Sequence, residues 1–224
     1  MRLQLDHSPA NKVRTARFQE TKLCPDTLSN TARTRAAALL VSSFLIIGLL
    51  LSGCSKTGGS GMHVKSPATG EKDLAVKSGY AFAVTKTFTD TTGKVTTAPS
   101  YRTYAASYDL DAGNFAMTLD KPLTADDQLR VVFSLVGEQG GNDKTPPKAG
   151  TYSAKADKFM KVEDAAIVSR KGGPDSKVWL DRSTLSGEVK VTSASADSIS
   201  GDVNLTAGET TIKGSFTAKV LARK

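Results

Sequence analysis

Leu185-Ser-Gly-Glu-Val-Lys-Val-Thr192 is echoed by Ile199-Ser-Gly-Asp-Val-Asn-Leu-Thr206 and again by Ile212-Lys-Gly-Ser-Phe-Thr-Ala218. Apolar and polar residues alternate in each copy, which is the period of a strand with one buried face. The glycines Gly187, Gly201 and Gly214 stand 14 and 13 residues apart. That spacing suits strands of about eight residues joined by short turns, so the three copies predict an antiparallel meander. One face carries Leu185, Val189, Val191, Val203, Leu205 and Ile212, the other Glu188, Lys190, Asp202, Asn204 and Lys213. The expected register sets Lys190 opposite Asp202 across a five-residue turn. A slip of two residues would face Glu188 with Asp202, and like charges directly opposite destabilise a strand pair. Either register keeps Val189 and Val203 inward and leaves Gly201 beside a valine. The glycines fall on the apolar face, with Phe216 or Trp179 expected to fill the space above them.

The same reading extends upstream. Tyr80 to Phe88, Tyr101 to Tyr108, Phe115-Ala-Met-Thr-Leu119 and Gly150-Thr-Tyr152 read as strands. Leu129-Arg-Val-Val-Phe-Ser-Leu-Val136 is nearly continuous apolar and reads as a central strand. Ala165 to Ser169 and Lys177 to Leu180 flank Gly172-Gly-Pro-Asp175, a hairpin signal, while Lys158 to Asp164 also fits a helical face. About nine strands with an amphipathic sheet need a second layer. The expected fold is all-β, an antiparallel β-sandwich, with a small calycin-like β-barrel as the alternative.

Upstream of this domain the chain changes character. Ala36 to Leu51 is 16 residues without a charge, preceded by Arg33 and Arg35 and followed by small residues. Basic residues, an apolar run and a small-residue site are the order of a secretory signal. The following Leu51-Ser52-Gly53-Cys54 resembles the lipobox of bacterial lipoproteins. The resemblance implies cleavage between Gly53 and Cys54, a diacylglyceryl thioether on Cys54, and often a further acyl chain on the new amino group. It also makes Ser55 a sorting residue, because aspartate there often signals inner-membrane retention. Fifty-three residues precede Cys54, more than the about 15–30 of ordinary signal peptides, so the start is placed too far upstream or the n-region is long. The expected organisation is a signal peptide over 1–53, the lipidated cysteine and a flexible tether over 54–72, and a β-rich domain over 73–224. Gly150-Thr-Tyr152, Leu185-Ser-Gly187 and Ile212 to Ala218 make that domain similar to the β-rich domains of bacterial lipoproteins, a likeness that implies a fold and no activity.

The whole chain of 224 residues carries a formal charge of +8; the leader holds seven basic and three acidic residues, so the mature part carries +4. These charges are dispersed, without the clustered stripe of a nucleic-acid footprint. His63 is the single histidine after Cys54 and falls in the expected tether, which leaves no Ser–His or Cys–His nucleophile within the domain. No phosphate-loop or dinucleotide motif occurs, and no cofactor is expected. Paired carboxylates could come from Asp109, Asp111, Asp126 and Asp127, although all four sit in turn-like contexts. Asp109-Leu-Asp111-Ala-Gly-Asn114 lacks the further ligands of a calcium loop. The reading is therefore a membrane-anchored module of the cell envelope that binds an envelope protein or polymer and is not an enzyme. A carrier of an apolar ligand and a carboxylate hydrolase stand as alternatives.

Overall fold

Every regular element in the residues that the computed structural model describes, 59–113 and 119–221, is a β-strand. In chain order they are β1 (Gly61–Ser66), β2 (Gly70–Ala75), β3 (Ser78–Thr89), β4 (Val95–Ala106), β5 (Leu129–Val136), β6 (Gly150–Ser153), β7 (Lys161–Ser169), β8 (Ser176–Trp179), β9 (Ser186–Ala194), β10 (Ser198–Ala207) and β11 (Thr210–Leu221). The signal, the lipobox Leu51-Ser52-Gly53-Cys54, Ser55 and the expected strand at Phe115 and Met117 lie outside the described residues.

The strands form one sheet rather than the two facing sheets of a sandwich. Its order is β10-β9-β6-β7-β5-β4-β3-β11, and β11 pairs again with β10, which closes a ring of eight. Two pairings in the ring are parallel: β6 with β7, and the seam where Lys219, Val220 and Leu221 meet Tyr80, Ala81 and Phe82. The expected sandwich is thus replaced by a closed barrel. A one-face alternation is the same in both architectures, so the pattern alone does not separate them. Outside the ring, β8 pairs with β7, and the β1–β2 hairpin extends from β11.

That hairpin corrects the boundary of the tether. Gly61-Met-His-Val-Lys-Ser66 pairs with β2 along its whole length, and Met62, Val64 and Leu74 are 3%, 0% and 1% exposed. These three apolar side chains belong to the main core, which outweighs the polar composition of the segment. A three-residue turn, Pro67-Ala68-Thr69, connects the two strands, with Gly70 at φ 69°. Of Lys158 to Asp164, the stretch that also fits a helical face, Lys161 to Asp164 lies in β7 and the three residues before it in no regular element.

The meander has the expected register. Lys190 faces Asp202, Val189 faces Val203, and Gly201 faces Val191. The turn is tighter than expected, Ser195 to Asp197, and an irregularity at Ser200/Gly201 restores the pairing. The lumen of a ring of eight is just wide enough to be filled by side chains. Here Tyr101, Phe133, Tyr152, Phe216 and inward aliphatic residues occupy it, with Phe133 and Phe216 edge to face at 5.0 Å. Both lumenal tyrosines use their hydroxyls to hold the loop between β5 and β6. Tyr101 donates to the Thr145 carbonyl at 2.7 Å and Tyr152 to the Lys148 carbonyl at 3.0 Å.

Candidate functional site

β5 is buried on both faces along all eight positions. Its odd residues, Leu129 to Leu135, face the lumen, so Arg130, Val132 and Ser134 face outward and require a cover. Residues 107–113 and 119–128, between β4 and β5, supply it. Leu110 and Leu119 pack there with Tyr104, Ala106 and Val132 in a second apolar cluster, with Tyr80 and Phe82 against its margin. Polar pins hold the segment down. Ser78 Oγ donates to the Tyr108 carbonyl at 2.7 Å and accepts from the Leu110 amide at 3.0 Å. Further along, the Leu123 amide donates to Asp175 at 2.9 Å, and Arg170 donates to the Leu123 carbonyl at 2.7 Å.

Between this crossing segment and the barrel lies a cleft of about 370 Å³, lined by Lys77, Tyr108, Asp109, Asp111, Lys121 and Arg130 among others. Arg130, on the outer face of β5, is 3% exposed. Its Nη1 donates to Tyr108 Oη at 3.0 Å and to the Lys121 carbonyl at 2.9 Å. Burial pushes the Tyr108 phenol above its ordinary value, against the opposing pull of the Arg130 charge. Asp111 accepts from the Gly113 amide at 2.9 Å and pairs with Lys121 at 3.0 Å. These two partners, the Gly113 amide foremost, hold its carboxyl below the usual range.

The four acids singled out in the sequence separate into different roles. Asp109 and Asp111 share the cleft lining, but a general acid needs a raised pKa and that of Asp111 is lowered. Asp126 accepts from the Gly172 amide at 2.7 Å and pairs with Arg170 at 3.4 Å, which ties the crossing segment to the β7–β8 turn. Asp127 is exposed and does not line the cleft. His63 sits on β1 and meets Asp73 across the hairpin at 2.8 Å, far along the sheet order from β5.

Sequence reasoning passed over Arg130, Lys77 and Lys121. The signal for Arg130 was present: the one charge, in second place, of a central strand that is apolar apart from it and Ser134. A neighbouring outer-face group was also missed. Trp179 is 47% exposed on β8, with Lys177 Nζ at 4.4 Å and the Arg102 guanidinium at 5.8 Å from its ring. It therefore does not cover the strand glycines. Arg102 Nε also donates to Tyr104 Oη at 2.9 Å, and burial pushes that phenol up to about 12. Compared with protein-family models, curated proteins and solved structures, the chain finds no match.

Proposed function

We propose that this protein is a lipid-anchored lipoprotein of the bacterial cell envelope and that its barrel is a binding module whose contact site is the cleft beneath the 107–128 crossing. The anchoring half rests on Leu51-Ser52-Gly53-Cys54 behind the 16-residue apolar run. The binding half rests on one observation above the others. The lumen is filled by large side chains, while the outer face of β5 carries a polar cleft around a buried arginine. Small-ligand sites are concave and combine an apolar wall with a few convergent polar groups. The closed ring favours the calycin-like architecture over the sandwich. A photo-crosslinking residue at Thr124, on the cleft rim, is expected to trap an envelope protein or polymer in intact cells. The same residue at Lys190, exposed on β9, is expected to give no such adduct. Equal adducts at the two positions, or none at either, would overturn the reading.

One observation favours a second reading, a carrier of an apolar ligand. Beside the seam of β3 and β11 lies a cleft of about 330 Å³ lined by Ala83, Tyr101, Pro146, Pro147, Val220 and Leu221 among others. A bound acyl chain there would pack over the short parallel seam and hold it closed. Protection of the Lys219–Leu221 amides from exchange by a fatty acid, with no protection from an anion, would favour the carrier.

A further inference from the structure

We infer that the cleft lined by Tyr108, Lys121 and Arg130 takes an oxyanion, the phosphate or carboxylate group of a soluble ligand, on the unpartnered Nε–Nη2 edge of Arg130; this rests on reading that cleft as the binding site. A guanidinium stays charged under all ordinary conditions. Burying a charge without a partner is strongly unfavourable, so buried charges are paired or coordinate a ligand. Arg130 is 97% buried, and among the described residues no carboxylate lies within ion-pair range of it. Both of its protein hydrogen bonds leave through Nη1, to neutral oxygens of Tyr108 and Lys121. Its Nε is buried with no acceptor. The Nε–Nη2 edge is the pair of parallel donors that grips two oxygens of a carboxylate or phosphate.

The carboxylates that surround this group have other partners. Asp111 is committed to Lys121 and the Gly113 amide, Asp175 to the Leu123 amide, and Asp120 to the Tyr104 hydroxyl. Asp109 remains on the lining, and Lys77 on the same lining offsets its charge. Among the charged residues that line the cleft, Lys77, Lys121 and Arg130 exceed Asp109 and Asp111 by one positive charge. Its small exposed remnant belongs to the cleft wall, next to Tyr108 and Lys121. A ligand oxyanion would give the buried cation the partner that the fold withholds.

The test is a titration of the full chain in detergent micelles with inorganic phosphate and, separately, with acetate, each against sodium chloride of equal ionic strength. The readout is the Nε–Hε resonance of Arg130. A saturable shift with phosphate assigns a phosphate ester, and one with acetate assigns a carboxylate. Arg130→Gln is expected to weaken binding at least about tenfold, the usual effect of losing hydrogen bonds to a charged group. Because Arg130 also holds the crossing segment, a second variant keeps the test decisive if that one fails to fold. Lys77→Glu changes an exposed side chain and is expected to weaken binding about threefold or more, as for an exposed ion pair, with an unchanged urea midpoint. No shift beyond chloride with either anion, or binding unaltered by Lys77→Glu and by a folded Arg130→Gln, would overturn the inference. If anions fail while Thr124 still crosslinks selectively, the oxyanion is wrong and the binding module stands. If both fail, both readings fall.

Discussion

At Gly201 the three-fold repeat of the sequence acquires a cause that composition does not reveal. Phe216 stands opposite Gly201 in the β10–β11 register, which is the packing expected from the sequence. A Cβ on Gly201, however, would fall on the carbonyl oxygen of Lys190, which is the backbone of the neighbouring strand. The equivalent atom on Gly187 would fall on the Asn204 carbonyl, and that on Gly214 on the Gly61 carbonyl. The repeated glycine thus admits the close approach of a paired strand, and a side chain there would wedge the ladder open. Gly201→Ala is accordingly expected to lower stability by about 1–3 kcal/mol, with leucine no milder, because even one methyl has no space. Gly173→Ala, where nothing lies within 4 Å, and Asn204→Ser, which faces water, are expected to be near neutral. Urea midpoints of the three variants check this. A Gly201→Ala midpoint equal to wild type would show that β9 and β10 tolerate separation at the bulge.

Among the elements, β1 and β5 mark the two ways in which the sequence was harder to read than it looked. β5 was legible as a central strand because eight apolar-rich residues leave few other choices, yet that same run concealed the functional content of its one arginine. A periodicity argument asks which face a residue takes and does not ask what covers the outer face; the cover comes from the irregular connection between β4 and β5, which carries no period of its own. The error at β1 runs the other way. Met62 and Val64 alternate over too few residues to stand out from a Gly- and Ser-rich surrounding, and the strand is fixed by pairing with β2 and β11. His63 then lies on the outer face of a hairpin, near both Asp73 at 2.8 Å and Glu71 at 3.7 Å. Its hydrogen bond to Asp73, more than the surrounding charges, raises its pKa above the ordinary 6.5. A group whose pKa rises on folding binds its proton more tightly in the native state. Its contribution is complete below pH 6.5 and is lost as the pH rises through the folded-state value. NMR titration of the His63 ring is expected to give a midpoint above 6.5, and Asp73→Asn should move it back toward that value. A midpoint at or below 6.5 in the wild-type protein would mean that the pair does not form in solution.

The whole molecule joins two problems that its sequence solves separately, how to close a sheet and where to hold it. Closure was the less legible, because it depends on three residues, Lys219 to Leu221, meeting β3 in parallel at partners 139 positions earlier in the chain. Neither partner carries a mark of the pairing, whereas the antiparallel meander is announced by alternation, turns and matched charges. On the lipoprotein reading proposed above, location follows from a few residues at the other end and does not depend on how the barrel closes. One acyl chain of ordinary length gives only reversible membrane binding, at about 0.8 kcal/mol per buried methylene, so two or three chains on Cys54 would make attachment effectively permanent. Removing the thiol would remove the proposed site of attachment, and the charge of +4 on residues 54–224 would be a weak substitute. Cys54→Ala is therefore expected to abolish incorporation of labelled fatty acid and to shift the protein out of the membrane fraction. With Ser55 in place of aspartate, the wild-type protein in a two-membrane cell is expected to band with the outer membrane on a density gradient. A Cys54→Ala variant that still takes up label and stays with membranes would refute the anchor. Banding of the wild type wholly with the inner membrane would refute only the sorting role of Ser55, because the thioether would hold the barrel at either bilayer.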